Sequence, residues 1–565
     1  MKDFSTLIGG IAGDGINEAG MTASRLLSRL GYHIYMYYDY PSLIRGGHNF
    51  SLIRACRHEV AVHTDAIDVL IALNQEAVEK HKFRLKKNSS FIIYDSDKVR
   101  ADSFPQRGCG LAVTSMLKEV GAPAIMKNTC ILGGYCKAVG IDWPVLEAVL
   151  NKHMQKKLEL NLLLAQRGYE KAEQFCRLDN LPVGSAGSSP PVGLRSLLTG
   201  NQAIALGLIQ AGLGAYIAYP MTPSSSVLDF MARYAGDFGL KVIHPESEIA
   251  VMLMALGFSY AGVKAAVGTS GGGFCLMTES LSLSGMAELP VVVVMAQRAG
   301  PSTGLPTYTA QSDLHFVLHA GQGEFPRLVV APGDAEEALI WAGRALNLAW
   351  RYQIPSIILS DKTLSESLYS LQINLVGEIK EEPAMLWDGN GIYRRYLQTE
   401  NGVSPLAFPP KKGQAIKTDS YMHDQQGITS EDAGISREMS QKRRTKGQSL
   451  AREMENYETV KVYGQPSANS ALLCWGSNKG VCLEAAERLG MRAVQVLVLS
   501  PFPKRRLTEA LQGVKRLLAV ECNSIGQLAD LARCHGIDVD DRILKYDGRP
   551  FSLEDLMEKL GGAGI

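Results

Sequence analysis

The chain opens on an apolar run that breaks into a glycine loop, "STLIGGIAGDG". "INEAGMTASRLLSRLG" follows with apolar residues at helical spacing, and "YHIYMYYDY" reads as a further strand. The pattern predicts a βαβ start to a domain over 1–180. "NLPVGSAGSSPPVG" is rich in Gly, Ser and Pro and predicts a linker over 181–194. Over 195–370 short β-rich runs ("AYIAYP", "KAAVGTS", "PVVVVMAQ", "PSIILSD") alternate with helical patterns such as "ESEIAVMLMALGFSYAG". Strands without apolar/polar alternation imply a parallel sheet covered on both faces. Over 371–465 the rhythm gives way to a polar, extended connector with a helical end. A last α/β unit is expected over 466–565.

A chain of 565 residues is too long for one core. The 58 basic and 57 acidic residues give a net charge of +1, which argues against a nucleic-acid binder. The longest apolar runs are too short to span a bilayer. No secretory leader pattern opens the chain, so a cytoplasmic location is expected, with no nucleic-acid or membrane partner. The ten cysteines make no CxxC pair, so no zinc ribbon or bacterial-type cluster run is encoded, and buried thiols are expected.

Candidate chemistry gathers in the middle domain, where parallel sheets bind ligands outside the carboxyl ends of their strands. One strand runs into "YPMTPSS", which holds Thr222 between Pro220 and Pro223. A second runs into Thr269 and Ser270, then Gly271, Gly272 and Gly273. A third, fully apolar, runs into Arg298 and on to Ser302 and Thr303. An arginine there needs an anion or a carboxylate, because a buried unpaired charge is costly, and its fork suits carboxylate or phosphate. A structural salt bridge and helix N-caps are the alternative readings. Glu246 and Glu248 open a helix apolar on nearly every face. Such a helix is expected to be buried, its first acid with it and with a proton to share, although acids also favour helix N-termini for their own sake.

In their order along the chain, "GNQAIALGLIQAGLGAYIAYPMTPSSSVLDF", "ESEIAVMLMALGFSYAGVKAAVGTSGGGFCLMTES" and "QRAGPSTGLPTYTAQSDL" resemble the alpha subunit of 2-oxoacid:ferredoxin oxidoreductases. "SPFP" and "ECNSIGQLADLAR" extend the likeness nearly to the C-terminus, and "PSLIRGGHNFSLIRA" resembles the family's gamma domain, fused ahead of alpha. The resemblance implies a multidomain α/β chain. It would comprise a gamma-type domain, a doubly wound parallel-sheet domain of the kind that binds the pyrimidine end of thiamine diphosphate, and a C-terminal transketolase-C-like domain.

It also implies an activity: CoA-dependent oxidative decarboxylation of a 2-oxoacid, 2-oxoglutarate favoured, to acyl-CoA and CO2, with electrons passing to ferredoxin. By resemblance Glu248 exchanges a proton with the aminopyrimidine ring of thiamine diphosphate, with Glu246 as the alternative. Tyr219, Pro220, Thr269, Ser270 and Gly271 would line that cofactor. Thr222 would bond the 2-oxoacid, helped by Pro223 and Ser224; its prolines make sense if the hydroxyl must be placed before substrate arrives. Arg298 would take the substrate carboxylate, with Ser302 and Thr303 in support. Arg45, Gly46 and Gly47 match the family's Arg-Gly-Gly and are associated with coenzyme A, a structural turn being the alternative.

The sequence lacks the magnesium-diphosphate half of a thiamine site. "GDG" at Gly13–Gly15 has no Asn-Asn pair at a suitable distance and is no dinucleotide fingerprint, since Glu18 stands where glycine is wanted. A beta subunit carrying the diphosphate, Mg²⁺ and an iron–sulfur cluster is therefore expected, in a dimer of heterodimers, and no metal on this chain. The rival readings are an indolepyruvate or branched-chain 2-oxoacid enzyme, a silent scaffold subunit, and a transketolase-like enzyme without a redox step.

Overall fold

The structure, a computed structural model, describes residues 3–563 apart from 44–45, 87–89, 101, 103–106, 155, 174–194, 374–376 and 378. The expected linker and Arg45 lie outside the described residues. The chain divides into two compact units, one of Met1–Leu198, Ser367–Ile373 and Ser552–Glu558, the other of Thr199–Glu366, Asn374–Phe551 and Lys559–Ile565.

The first unit is built on an eight-stranded mixed sheet. Strands β1 (Phe4–Ile11), β2 (His33–Asp39), β3 (His48–Cys56), β4 (Val69–Ala72), β5 (Phe91–Asp95), β6 (Arg107–Leu111) and β7 (Ser196–Thr199) are joined by Leu368–Leu371. The order is β6-β5-β4-β1-β3-β2, then Leu368–Leu371, then β7. The expected βαβ start is thus interrupted. β3 inserts between β1 and β2 and pairs antiparallel with both, because its own apolar residues complete the buried sheet. The helix Ile16–Arg29 packs its buried Leu26 and Leu27 on this sheet, and Gly15 enters it left-handed at φ 71°. The expectation of free thiols fails at Cys109, which is disulfide-bonded.

The second unit holds two sheets. In the larger, β8 (Ala215–Ala218), β9 (Lys241–Ile243), β10 (Ala265–Thr269), β11 (Val291–Gln297), β12 (Leu328–Val330) and β13 (Pro355–Asp361) run in the order β12-β13-β11-β10-β8-β9. All these pairs are parallel, as the unalternating sequence requires. Each of Val291–Val294 is fully buried, which stabilises by about 2 kcal/mol per side chain relative to exposure. Val498–Ser500 adds an antiparallel edge beside β12. The smaller sheet orders Val460–Gly464, Arg492–Val496, Ser470–Cys474, Arg516–Glu521 and Asp541–Leu544.

The helix Ala433–Met454 ends the polar stretch after 371 and is tied down by charge. Lys442 donates to both Glu288 oxygens at 2.7 and 2.8 Å, Lys446 binds the same carboxylate, and Arg395 donates to the Ala287 and Glu288 carbonyls. Glu288 and both lysines are buried. Despite its burial, the cations hold the Glu288 carboxyl well below its ordinary pKa.

Candidate active site

The site is assembled at the carboxyl ends of β8, β10 and β11. β8 is fully buried and emerges at Tyr219 and Pro220, both exposed; the Tyr219 ring meets His244 edge-on at 5.9 Å. The chain then turns through Met221–Ser224 into the helix Ser225–Arg233. Thr222 is half-buried and Pro223 and Ser224 are buried. Ser224 uses its hydroxyl within the loop, donating to the Met221 carbonyl at 2.8 Å. Asn201, buried on the helix Gly200–Gln210, donates to the Pro223 carbonyl and to Ser226 Oγ, each at 2.7 Å. The loop is therefore fixed from below by a residue that sequence reasoning did not single out. An asparagine at the head of an apolar helix was the available signal.

β11 delivers Arg298, whose Nη1 donates to the Thr222 carbonyl at 3.0 Å. Its Nε is buried with no partner among the described residues. Burial pulls the guanidinium pKa below its usual value, with Asp313 opposing. The loop that follows carries Ser302 and Thr303, both exposed, with Ser302 left-handed at φ 56°.

β10 ends at Thr269 and Ser270, both fully buried, and Ser270 Oγ has no partner. The helix Gly271–Ala287 begins there, and its three opening glycines face three different walls. A Cβ on Gly273 would overlap Thr269 Oγ1 and lie 2.6 Å from Glu248 Oε1. One on Gly271 would lie 2.9 Å from Asp313 Oδ2, while one on Gly272 would meet only the Ser302 carbonyl at 3.9 Å. Two acids thus approach one helix turn because that turn has no side chains.

Glu248 is 4% exposed at the head of the helix Glu248–Tyr260, whereas Glu246 is exposed. The expectation that this helix is buried all round needs correction. Val251, Met252, Ala255 and Leu256 pack inward, but Ile249 is 48% and Leu253 and Met254 are each 43% exposed. Leu276 and Cys275 on the glycine helix are exposed too. The apolar sequence covers more surface than this chain's own sheet can bury.

Asp313 was quoted within a motif but given no role. Its backbone N–H donates to Gln297 Oε1 at 3.0 Å, fixing it beside the end of β11. Burial pushes its carboxyl up to about 6, with Arg298 opposing. The neighbouring Gln311 is a junction with the C-terminal sheet. Its Nε2 donates to the Trp475 carbonyl, its Oε1 accepts from Asn478 and from the Cys522 N–H, and its carbonyl accepts from Asn523. Gln527 holds the Ser312 carbonyl and the His315 N–H. The stretch "ECNSIGQLADLAR" therefore fixes the loop that carries Asp313.

Gly46 and Gly47 belong to the other unit. Both have positive φ, 78° and 77°. Pairing of Ile11 with His48 sets them beside the glycine loop that follows β1. In that loop Asp14 accepts the Ile11 N–H at 3.2 Å and lies 3.7 Å from Lys127. Among the described residues one trio of possible metal ligands, Asp3, Cys56 and His58, comes within 4.8 Å, and Arg54 already holds its carboxylate. Among the same residues no helix is long and apolar enough to cross a membrane.

The chain is similar to several known proteins along its length. The family described as "Pyruvate flavodoxin/ferredoxin oxidoreductase, thiamine diP-bdg" matches residues 206–442. "Pyruvate ferredoxin/flavodoxin oxidoreductase" matches residues 5–171. A 2-oxoacid:ferredoxin oxidoreductase subunit alpha from Sulfolobus is 32% identical over 99% of this chain and 96% of its own length. A 2-oxoglutarate oxidoreductase subunit KorA from Mycobacterium tuberculosis is 27% identical over 97% of this chain and 89% of its own. A solved 2-oxoglutarate:ferredoxin oxidoreductase from Magnetococcus marinus, with 2-oxoglutarate, coenzyme A and succinyl-CoA bound, is 30% identical. It covers 100% of this chain and 99% of its own at a TM-score of 0.89. Likeness along the full length places the chain in the 2-oxoacid:ferredoxin oxidoreductase family as an alpha-type enzyme subunit.

Proposed function

We propose that this chain, with a gamma-type domain fused ahead of alpha, works with a beta subunit to convert a 2-oxoacid and coenzyme A to acyl-CoA and CO2, passing electrons to ferredoxin. The observation that carries the reading is that Glu248, buried against Gly273 just past β10, and the bonded Thr222–Arg298 pair lie at the same carboxyl edge of the parallel sheet.

The residues fit the pyrimidine end of thiamine diphosphate. A buried carboxylate, a buried Ser270 Oγ without a partner and a glycine turn open to three walls are what a flat heteroaromatic ring with hydrogen-bonding nitrogens would use. When bound, that cofactor supplies the carbanion that attacks the 2-oxo carbon and the sink for the electrons left by decarboxylation. Glu248 holds and exchanges the proton of a ring nitrogen. Glu246, exposed, is the weaker candidate. Tyr219, Pro220, Thr269, Ser270 and Gly271 form the surrounding wall.

Arg298 binds the carboxylate of the 2-oxoacid with the donors that its bond to Thr222 leaves over. Thr222 presents its hydroxyl from a loop already held by Asn201 and Arg298, so little order remains to be gained on binding. Pro223 shapes that loop, and Ser224 supports it through Met221 rather than by reaching the ligand. Ser302 and Thr303 would close over the substrate from their exposed loop.

The exposed apolar strip of Ile249, Leu253, Met254 and Leu276 supports a beta subunit seated beside Glu248. We assign the diphosphate, Mg²⁺ and an iron–sulfur cluster to that subunit, and a dimer of heterodimers to the assembly. Coenzyme A is assigned to the Arg45, Gly46 and Gly47 stretch of the sequence. 2-Oxoglutarate is the favoured substrate, because relatives along the full length are named for it.

Anaerobic co-purification followed by dye reduction with a panel of 2-oxoacids plus coenzyme A tests the reading. A smaller brown chain that co-purifies, together with reduction driven by one 2-oxoacid, is the expected result. A colourless, solitary and inert chain would favour the silent scaffold.

A further inference from the structure

We propose that Arg327 heads a second binding site, at the opposite edge of the parallel sheet from Thr222 and Arg298, which takes the carboxylate of a small monocarboxylate with an apolar body. The site stands independently of the reaction proposed above.

Arg327 directly precedes β12 and so lies at the amino end of that strand, whereas Thr222 and Arg298 follow the carboxyl ends of β8 and β11. The strands from β12 to β8 are all parallel, which puts the two arginines on opposite edges of the sheet. Three further elements converge on Arg327. The short helix Leu314–His319 ends beside it, and the Val317 carbonyl accepts from Arg327 Nη1 at 2.9 Å. The antiparallel strand Val498–Ser500 ends there too, with Ser500 Oγ donating to the Arg327 carbonyl at 3.1 Å. The helix Ala433–Met454 brings Gly447 and Leu450. Together they bound a cavity of about 420 Å³, within the range of small-molecule sites.

The guanidinium is 8% exposed and forms no ion pair among the described residues. One face lies over the Phe325 ring, 4.5 Å from its centroid, and Nη1 is spent on Val317. Nε and Nη2 have no acceptor among the described residues and are not sealed from solvent, so that edge of the fork is left to the cavity that Arg327 lines. A cation buried to this degree without a counter-charge is costly, and one carbonyl and an aromatic face offset only part of the cost. Burial pulls its pKa down to about 10 with no acid opposing, which leaves it charged at neutral pH. Two N–H groups side by side on a planar fork match the two oxygens of a carboxylate.

The rest of the lining narrows the ligand class. Leu318, Phe325, Leu450 and Pro501 make apolar walls, which ask for an apolar body behind the charged head. His319 and Glu324, both exposed, are the other titratable groups of the lining. A polyanion would meet the like charge of Glu324, and a bare anion would leave the apolar walls wet. One carboxylate with a short hydrocarbon body satisfies both.

Saturation-transfer NMR on the full chain as purified tests the site, with hexanoate as the probe and acetate and inorganic phosphate beside it. Hexanoate should bind the wild type more tightly than either. Arg327→Gln should weaken hexanoate by at least about tenfold and Arg327→Lys by about three- to tenfold, since the first removes the charge and the second only the fork. Glu324→Gln removes an exposed like charge and should tighten binding by about 1.5- to fivefold. Arg298→Ala should leave hexanoate bound. Equal affinity in the wild type, Arg327→Gln and Arg327→Lys would overturn the proposal. Loss of binding in Arg298→Ala would overturn it too, because the probe would then sit at the carboxyl edge. If Arg327→Gln, which also frees the Val317 carbonyl, does not fold, the other two variants decide: an affinity that neither Arg327→Lys nor Glu324→Gln moves overturns the site. Phosphate bound more tightly than hexanoate would overturn the ligand class.

Discussion

The Arg298 guanidinium donates from Nη1 to the backbone carbonyl of Thr222 at 3.0 Å, so the end of β11 clamps the loop after β8. Arg298 thus holds the threonine loop, and in the proposed reading its remaining donors take the substrate carboxylate. Arg298→Ala should raise KM for the 2-oxoacid by about 10- to 100-fold, the scale of a lost charge-assisted fork, while KM for coenzyme A changes little. Steady-state kinetics with each substrate varied in turn reads the split. Equal effects on both would make the arginine structural.

Glu248 and Glu246 are two residues apart and differ in burial: Glu248 is 4% exposed and Glu246 lies on the surface. Glu248→Gln should lower kcat by at least about 100-fold, in the range of a removed general acid–base, with the subunits still co-eluting. Glu246→Gln should stay within about twofold of the wild type. Loss of activity in the second variant instead of the first would move the role to Glu246.

The glycine turn separates steric from chemical requirements. Gly273→Ala pushes a methyl into Thr269 and Glu248 and should cost about 1–3 kcal/mol of stability together with most activity. Gly272→Ala meets only a carbonyl at 3.9 Å and should be nearly silent. Thermal unfolding beside the dye assay distinguishes them, and equal damage from both would mean that the turn needs backbone freedom rather than space.

Among the described residues, Glu288 is the one carboxylate held by Lys442 and Lys446. Glu288→Gln leaves those buried cations uncompensated and should destabilise by about 3–5 kcal/mol. Because the folded pKa of Glu288 is depressed, its contribution is present above the unfolded carboxyl value of 4.5 and is lost as pH falls toward the folded value. Denaturant unfolding at pH 7 and pH 4 should show the wild type losing stability over that interval and the variant losing less.

The main residues of the proposed site stand out in the sequence before any coordinates. Proline spacing singled out Thr222, an arginine at the end of an apolar strand singled out Arg298, and an acid heading an apolar helix singled out Glu248. These are local signals, and each rests on residues adjacent in the chain. Asn201 and Asp313 were not legible as anchoring or neighbouring residues, because nothing beside them in sequence distinguishes a loop anchor or a half-buried acid from ordinary polar positions. Gln311 was equally hidden. Its partners Trp475, Asn478, Cys522 and Asn523 lie more than 160 residues away and belong to another sheet.

The sequence by itself determined the alternation of strands and helices, the parallel middle sheet and the chemistry at its strand ends, since periodicity and residue type follow from local sterics and burial. Only the tertiary structure decided that β3 enters between β1 and β2, that Glu248 and Asp313 come up against the glycine turn, and that one side of the Glu248 helix stays uncovered. Those outcomes depend on which distant surfaces meet. A hydrophobic pattern reports that a face must be buried, and not what will bury it.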